Sequence, residues 1–215
     1  MAGQGDDGAD DVPLPVTTRS DWTGAPLGED VPEDPNATQK VKQATLTGAL
    51  FEMSKPTIAS LPGAAAGAGM SIALSCDIRL GSESAFITTG FRNVGLSGDY
   101  GGTWLLTQLV GPAKAKQLYF TAERVQSEEL LRLGVLNVRC PDDALHAEAF
   151  AMAAHIAAGP PSALRGMKAN INDATKGISF REALDGEAER LARVDREQQR
   201  EAIASFVGKR TPQFD

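Results

Sequence analysis

Histidine and cysteine are scarce in this chain, and their scarcity excludes several kinds of chemistry. Among 215 residues there are two histidines and two cysteines. Cys76 and Cys140 form no metal-type or redox-type pair in sequence, which is typical of a reduced, cytoplasmic protein. His146 and His155 lie in an alanine-rich segment with a helical, surface-facing pattern and without a partner serine or cysteine motif. The sequence therefore predicts no metal site and no histidine-activated nucleophile.

Long apolar runs and excess positive charge are also missing. No run approaches the roughly 20 apolar residues that a membrane-spanning helix needs, and no basic segment followed by an apolar one indicates a secretory signal. The formal net charge is −7, which disfavours a nucleic-acid-binding surface. A few local lysines or arginines can still hold a phosphate group on an acidic protein. The predicted partner is thus a small molecule, with neither nucleic acid nor membrane.

Three segments differ in composition. Residues 1–38 are acidic and rich in proline, which predicts a loop segment. Residues 39–160 alternate helical patterns with short apolar runs, which predicts an α/β core. Residues 161–215 are helical in texture and end in a helix near 180–206. Within the core the predicted strands are 57–61, 77–80, 85–88 and 136–139, and the predicted helices are 39–53, 64–76, 101–110, 113–120, 127–133 and 142–158.

A turn of small residues at 62–69 is the first candidate site. It reads Pro-Gly-Ala-Ala-Ala-Gly-Ala-Gly, and tiny side chains let a ligand approach the backbone closely. If a helix starts near residues 66–69, its first N–H groups lack intrahelical partners and lie at the positive end of the helix dipole. Such donors can stabilise an oxyanion. The alternative is a closely packed helix start without a catalytic role.

A glycine-rich loop at 95–102 is the second candidate site. Asp99 stands in this loop just before a predicted helix. Its carboxylate can cap the helix by accepting hydrogen bonds from the first free N–H groups. Alternatively, Asp99 is a catalytic base or nucleophile, presented where the backbone can approach a ligand. The residues alone leave both interpretations open.

The order of these motifs resembles the crotonase (enoyl-CoA hydratase/isomerase) superfamily. The resemblance covers residues 39–215 as one continuous series. The segments that carry it are 55–59 (KPTIA), 62–69 (PGAAAGAG), 73–79 (ALSCDIR), 95–96 (GL), 101–106 (GGTWLL), 110–115 (VGPAKA) and 206–214 (FVGKRTPQF).

The resemblance implies a spiral of β-β-α units whose C-terminal helices, residues 161–215, build trimers or hexamers. It implies an acyl-CoA thioester ligand, with coenzyme A as part of the substrate and no separate cofactor. Two backbone N–H groups hold the thioester oxygen in this family. One carries over to Ala68, and the other to Gly5, in a segment similar to the family's upstream Gly-Gly-Asp motif. The chain would then lack the family's first strands. The expected substrate-binding residues are Ala64, Ala66, Gly67, Phe91, Trp104, Phe206 and Lys209, the last two near the CoA nucleotide.

Two departures from the family's pattern bear on the reaction. The hydratases handle water with two glutamates, and the matching positions here are Ser71 and Phe91, neither of which can act as a general base. Asp99 matches an aspartate of isomerase-type and dehalogenase-type members. The leading prediction is therefore an isomerase-like double-bond shift with Asp99 as the base. The alternatives are an enoyl-CoA hydratase with a non-standard base and a non-catalytic acyl-CoA-binding subunit.

Overall fold

Six short strands form two small sheets, and helices pack around them. The computed structural model describes residues 35–214. Strands β1 (Ile58–Leu61), β3 (Ile78–Ser82) and β6 (Val138–Cys140) form a parallel sheet in the order β1-β3-β6. Strands β2 (Ala64–Ala66), β4 (Phe86–Thr88) and β5 (Val125–Gln126) form the second sheet, in which β4 pairs in parallel with β2 and antiparallel with β5. The predicted α/β class is confirmed.

Helices occupy most of the remaining described chain. None of those between residues 35 and 214 is long and apolar enough to cross a membrane. Their bounds are α1 Pro35–Gln43, a π-helical turn Ala44–Gly48, α2 Ala49–Glu52, α3 Ala68–Ser75, a 3-10 turn Phe91–Val94, α4 Gly102–Thr121, α5 Ser127–Arg132, α6 Leu145–Ala157, α7 Pro161–Thr175, α8 Phe180–Ala192 and α9 Arg196–Gly208.

The strands and helices follow a repeated order. The series β1-β2-α3 is followed by β3-β4-α4, and each unit contributes one strand to each sheet. Between the sheets and helices lies an apolar core that includes Met70 and Leu74 of α3 and Leu106 and Leu118 of α4. Each such side chain stabilises the fold by about 1.5–3 kcal/mol relative to exposure. This packing holds the first turns of α3 and α4 against one another.

The predicted helix 64–76 is wrong in its first part. Ala64–Ala66 form β2, since their backbone pairs with Phe86–Thr88 of β4. The helix begins only at Ala68, after Gly67 with φ 51° and ψ −121°, a conformation that glycine adopts without steric cost. Alanine favours a helix locally, but the ladder with β4 satisfies the same backbone groups and outweighs that preference.

The predicted C-terminal helix near 180–206 is two helices. Helix α8 ends at Ala192 and α9 starts at Arg196. Asp195 caps α9, because its side chain accepts hydrogen bonds from the N–H groups of Glu197 and Gln198. A residue that fits either a helix surface or a cap cannot be assigned from periodicity alone.

Candidate functional site

The Gly67–Ala68 turn presents free backbone donors. The N–H of Gly67 donates to the Thr88 carbonyl at 3.1 Å, and the Gly67 carbonyl accepts from the N–H of Ser71 at 3.1 Å. Within the described part of the chain the N–H groups of Ala68 and Gly69 make no hydrogen bond. They stand at the positive end of α3 and can donate to an oxyanion. The structure therefore places Ala68 where the sequence predicts a donor.

Ser71 joins this turn to the loop of Asp99. Its buried hydroxyl lies 3.3 Å from the Gly67 carbonyl oxygen and 3.1 Å from the Asp99 carbonyl oxygen, and can donate to either. A Cβ at Gly102 would lie 2.2 Å from the Ser71 Oγ, so only glycine fits between the two helices. The two glycine-rich turns that are separate in sequence thus meet in one site. Ser71 acts here as a structural tie.

The Asp99 carboxyl does not cap helix α4. The cap residue is Gly101, and among residues 35–214 no side-chain cap hydrogen bond to that helix is present. Asp99 Oδ1 is buried and has no hydrogen-bond partner among the described residues. Burial raises the pKa of this carboxyl above its ordinary value, because desolvation disfavours the charged form. The capping interpretation is wrong, and the geometry favours a carboxyl that is available for chemistry.

Tyr119 is a member of the site that the sequence did not indicate. Its ring stacks on Phe91, with centroids 6.1 Å apart and planes 5° from parallel. Its hydroxyl is buried without a partner in the described chain. Burial raises the Tyr119 pKa and the nearby charge of Asp99 raises it further, while the Thr103 hydroxyl opposes the shift. No local signal marks Tyr119, since the helix is broken at Gly111 between it and Asp99.

Phe91 lies close to the Gly67–Ala68 turn. Its side chain is buried, and its ring atom Cε1 would lie 3.7 Å from a Cβ at Gly67. The ring covers the site, and nothing in it can accept a proton. Ala64 and Ala66 are exposed on β2, directly before the turn.

Other predicted site residues lie elsewhere. Trp104 packs edge-on against Phe51, with ring centroids 5.7 Å apart. It lines a cavity of about 430 Å³ to which neither Ala68, Phe91 nor Asp99 contributes.

The remaining predictions concern the two ends of the chain. Phe206 and Lys209 lie on α9 and at its end, and both side chains are exposed. Gly5 lies outside the described residues. Within 35–214, no group of three His, Cys, Asp or Glu side chains could hold a metal ion. His146 and His155 are exposed on α6.

Comparison with known proteins identifies the relatives of this chain. The model of a family described as enoyl-CoA hydratase/isomerase matches residues 23–215. A probable enoyl-CoA hydratase of Rhodobacter capsulatus is 32% identical over 94% of this chain and 80% of its own length. The 1,2-epoxyphenylacetyl-CoA isomerase of Escherichia coli is 34% identical over 77% of this chain and 63% of its own length. The crystal structure of an enoyl-CoA hydratase from Polaromonas sp. JS666 is 33% identical and matches with a TM-score of 0.79, covering 85% of this chain and 72% of that one.

Proposed function

The chain belongs to the enoyl-CoA hydratase/isomerase family of the crotonase superfamily, and on that premise we propose that it shifts a double bond in an unsaturated acyl-CoA. The proposal rests on one observation above all: the unpartnered carboxyl of Asp99 and the free N–H of Ala68 lie in turns that Ser71 joins. A base and an oxyanion donor are the two groups that such a reaction needs.

The Ala68 N–H is the proposed donor to the thioester oxygen. As negative charge develops on that oxygen, a preorganised donor stabilises the enolate by an amount that reaches about 3–4 kcal/mol in measured oxyanion holes. Two observations support Ala68: it opens α3, and its N–H makes no hydrogen bond in the described chain. Gly5 remains the proposed second donor.

Asp99 is the proposed proton carrier. Its carboxylate takes a proton from C2 of a 3-enoyl-CoA, and the electrons of that C–H bond pass into the thioester enolate. The protonated carboxyl then returns the proton to C4, which yields the 2-enoyl-CoA with no net change in atoms. A raised pKa makes the carboxyl a stronger base for this transfer. Ser71 and Phe91, at the positions of the hydratase glutamates, offer no alternative base.

Water addition by a non-standard base is the second candidate function. It is supported by the names of relatives, several of which are called enoyl-CoA hydratases. In that case Asp99 would deprotonate a water molecule instead of C2. Formation of 3-hydroxyacyl-CoA from crotonyl-CoA separates the two reactions.

Replacing Asp99 by asparagine tests the assignment. Loss of a general base lowers the rate by about 10²- to 10⁴-fold, so Asp99→Asn should lower kcat for 3-enoyl-CoA isomerisation by that factor. The exposed Asp143 provides the matched control, and Asp143→Asn should keep the wild-type kcat. If Asp99→Asn isomerises at the wild-type rate, Asp99 is not the base. If wild-type protein binds acyl-CoA and converts none, the chain is the binding subunit that the sequence left as an alternative.

The raised pKa of Asp99 also has consequences for pH. The base form is the carboxylate, so kcat should rise with pH through a pKa above the ordinary value of about 3.9. For stability the sign is opposite: the contribution of a carboxyl with a raised folded-state pKa is fully present below the unfolded-state pKa and is lost as the pH rises through the folded-state pKa. At neutral pH the thermal midpoint of Asp99→Asn should therefore equal or exceed that of the wild type. A lower midpoint would contradict the buried, unpaired carboxyl.

The C-terminal helices are the proposed trimerisation region. Several of their apolar side chains are largely exposed, including Phe180, Leu191, Phe206 and Val207. Exposed apolar groups concentrated on one region mark an interaction surface. We expect light scattering to report a homotrimer or hexamer, and Lys209 to approach the nucleotide of an acyl-CoA bound there. A monomer would argue against this role.

A further inference from the structure

Two buried polar atoms of this site have no hydrogen-bond partner among the described residues. Three buried side-chain atoms have no hydrogen bond among the described residues, and two of them are Asp99 Oδ1 and the Tyr119 hydroxyl. The Tyr119 hydroxyl lies against the Asp99 loop, since a Cβ at the preceding Gly98 would be 3.8 Å from its oxygen. Buried polar groups in proteins nearly always have hydrogen-bond partners, so two buried groups without one indicate that a ligand or water atom binds there.

The Tyr119 hydroxyl cannot turn away from this place. Its ring is stacked on the buried ring of Phe91. A Cβ at Gly102 would lie 3.2 Å from the hydroxyl oxygen. Thr103 is a polar neighbour, but no hydrogen bond of acceptable geometry joins its hydroxyl to Tyr119. The hydroxyl thus lies against Gly98 and Gly102, on either side of Asp99 in sequence, with its donor and acceptor unused.

The hydrogen-bonding capacity of Tyr119 and Asp99 defines which atom can bind to both groups. A phenolic hydroxyl donates one hydrogen bond, and a carboxylate only accepts. One oxygen atom can satisfy both if it accepts from Tyr119 and donates to Asp99, which is the property of a hydroxyl oxygen. A hydrocarbon chain in the same place would leave both groups buried and unsatisfied, which is costly.

We propose that Tyr119 is a specificity-determining residue whose hydroxyl, together with the Asp99 carboxyl, binds one hydroxyl oxygen next to the acyl carbons. This inference rests on the proposed function, because the Ala68 N–H and Asp99 define where the thioester and carbons 2–4 lie. The oxygen has two sources with the same chemistry: a hydroxyl group on the acyl chain, or a water molecule held beside it. The protein thereby favours oxygen-bearing acyl-CoA over plain hydrocarbon acyl-CoA.

A pair of saturated ligands tests the first source. Butanoyl-CoA and 3-hydroxybutanoyl-CoA differ by one oxygen, and neither carries a double bond to be shifted. Wild-type protein should bind the hydroxylated ligand more tightly, by about 5- to 30-fold for one hydrogen bond to a buried group. Tyr119→Phe should abolish this preference. The chain has one other tyrosine, Tyr100 in the glycine loop, and Tyr100→Phe is the matched control that should keep the preference.

Crotonyl-CoA tests the second source. If the oxygen comes from water, wild-type protein should form 3-hydroxybutanoyl-CoA, and Tyr119→Phe should slow this by about the same 5- to 30-fold factor. The inference is overturned if wild-type protein does not distinguish the two saturated ligands and Tyr119→Phe leaves hydration unaffected. If wild-type protein binds butanoyl-CoA and 3-hydroxybutanoyl-CoA equally tightly, only the inference about Tyr119 fails, and the proposed acyl-CoA function stands. Failure of both ligands to bind overturns that function too.

Discussion

Replacing Lys168 by methionine should destabilise the fold more than any other loss of a single lysine charge described in this chain. The side chain of Lys168 is 8% exposed, and its ammonium group lies 2.8 Å from Asp77 Oδ2, whose side chain is 25% exposed. It also donates to the carbonyl of Lys55 at 3.1 Å and lies 3.5 Å from that of Leu50. Helix α7 is joined by these contacts to the start of the core.

The expected loss of stability follows from the burial of the Lys168–Asp77 ion pair. Removing one partner of a buried ion pair costs about 3–5 kcal/mol. Asp77 is partly solvated and keeps two hydrogen bonds from Thr57, at 2.7 and 2.9 Å, so we expect a smaller loss of about 2–3 kcal/mol. For a chain of this length that lowers the thermal midpoint by about 4–12 °C. Calorimetry and urea unfolding measure both quantities.

Lys176, which directly follows the last residue of α7, provides a matched control. Lys176 pairs with Asp173 at 3.2 Å but is 53% exposed, and exposed pairs contribute only about 0–1 kcal/mol. Lys176→Met should therefore change the midpoint by no more than about 4 °C. If Lys168→Met is no more damaging than Lys176→Met, the buried pair does not hold α7 to the core and the reasoning is refuted.

Two further predictions concern the packing of the site and the C-terminal end. Gly102→Ala places a Cβ 2.2 Å from the Ser71 Oγ and should lower the free energy of unfolding in urea by about 1–3 kcal/mol. The control is Gly69→Ala, whose Cβ meets no atom within 4 Å and should leave that free energy unchanged. Equal effects of the two variants would contradict the close contact at Gly102. Hydrogen bonds from Arg210 lower the Glu201 pKa to about 2, so the contribution of this pair is present above the ordinary glutamate pKa and is lost as the pH falls towards 2. At pH 7, Glu201→Ala removes the acceptor of the Gln213 amide, which donates to Glu201 at 2.9 Å, and should speed hydrogen exchange of that amide; unchanged protection would rule the contact out.

Part of the fold could be read from local patterns. Short apolar runs bounded by proline or glycine predict β1 and β3 near their observed positions, and the Gly111–Pro112 pair predicts the break that divides α4. These features depend on neighbouring residues, which act through backbone restrictions of proline and glycine. Strand β2 could not be predicted in the same way. Its three alanines favour a helix, and only the distant strand β4 makes them extended.

The candidate site, like the fold, could be predicted from local sequence only in part. The Ala68 turn and the Asp99 loop were both recognisable in sequence, because small residues and an isolated carboxylate mark a place where a ligand meets the backbone. The sequence could not decide between a capping and a catalytic role for Asp99, because that role depends on which atoms surround the carboxyl after folding. Tyr119 was invisible for the same reason: it comes from the far end of a broken helix and is placed by Phe91.

The amino-acid sequence by itself indicated the family, the position of the small-residue turn at 62–69 and the absence of glutamates at residues 71 and 91. Those are properties of residue identity and order. The tertiary structure decided that Ser71 joins the two turns, that Asp99 Oδ1 is buried without a partner among the described residues and that Tyr119 lies against the Asp99 loop. Burial and proximity are set by the packing of α3 against α4, which brings together residues that lie far apart along the chain.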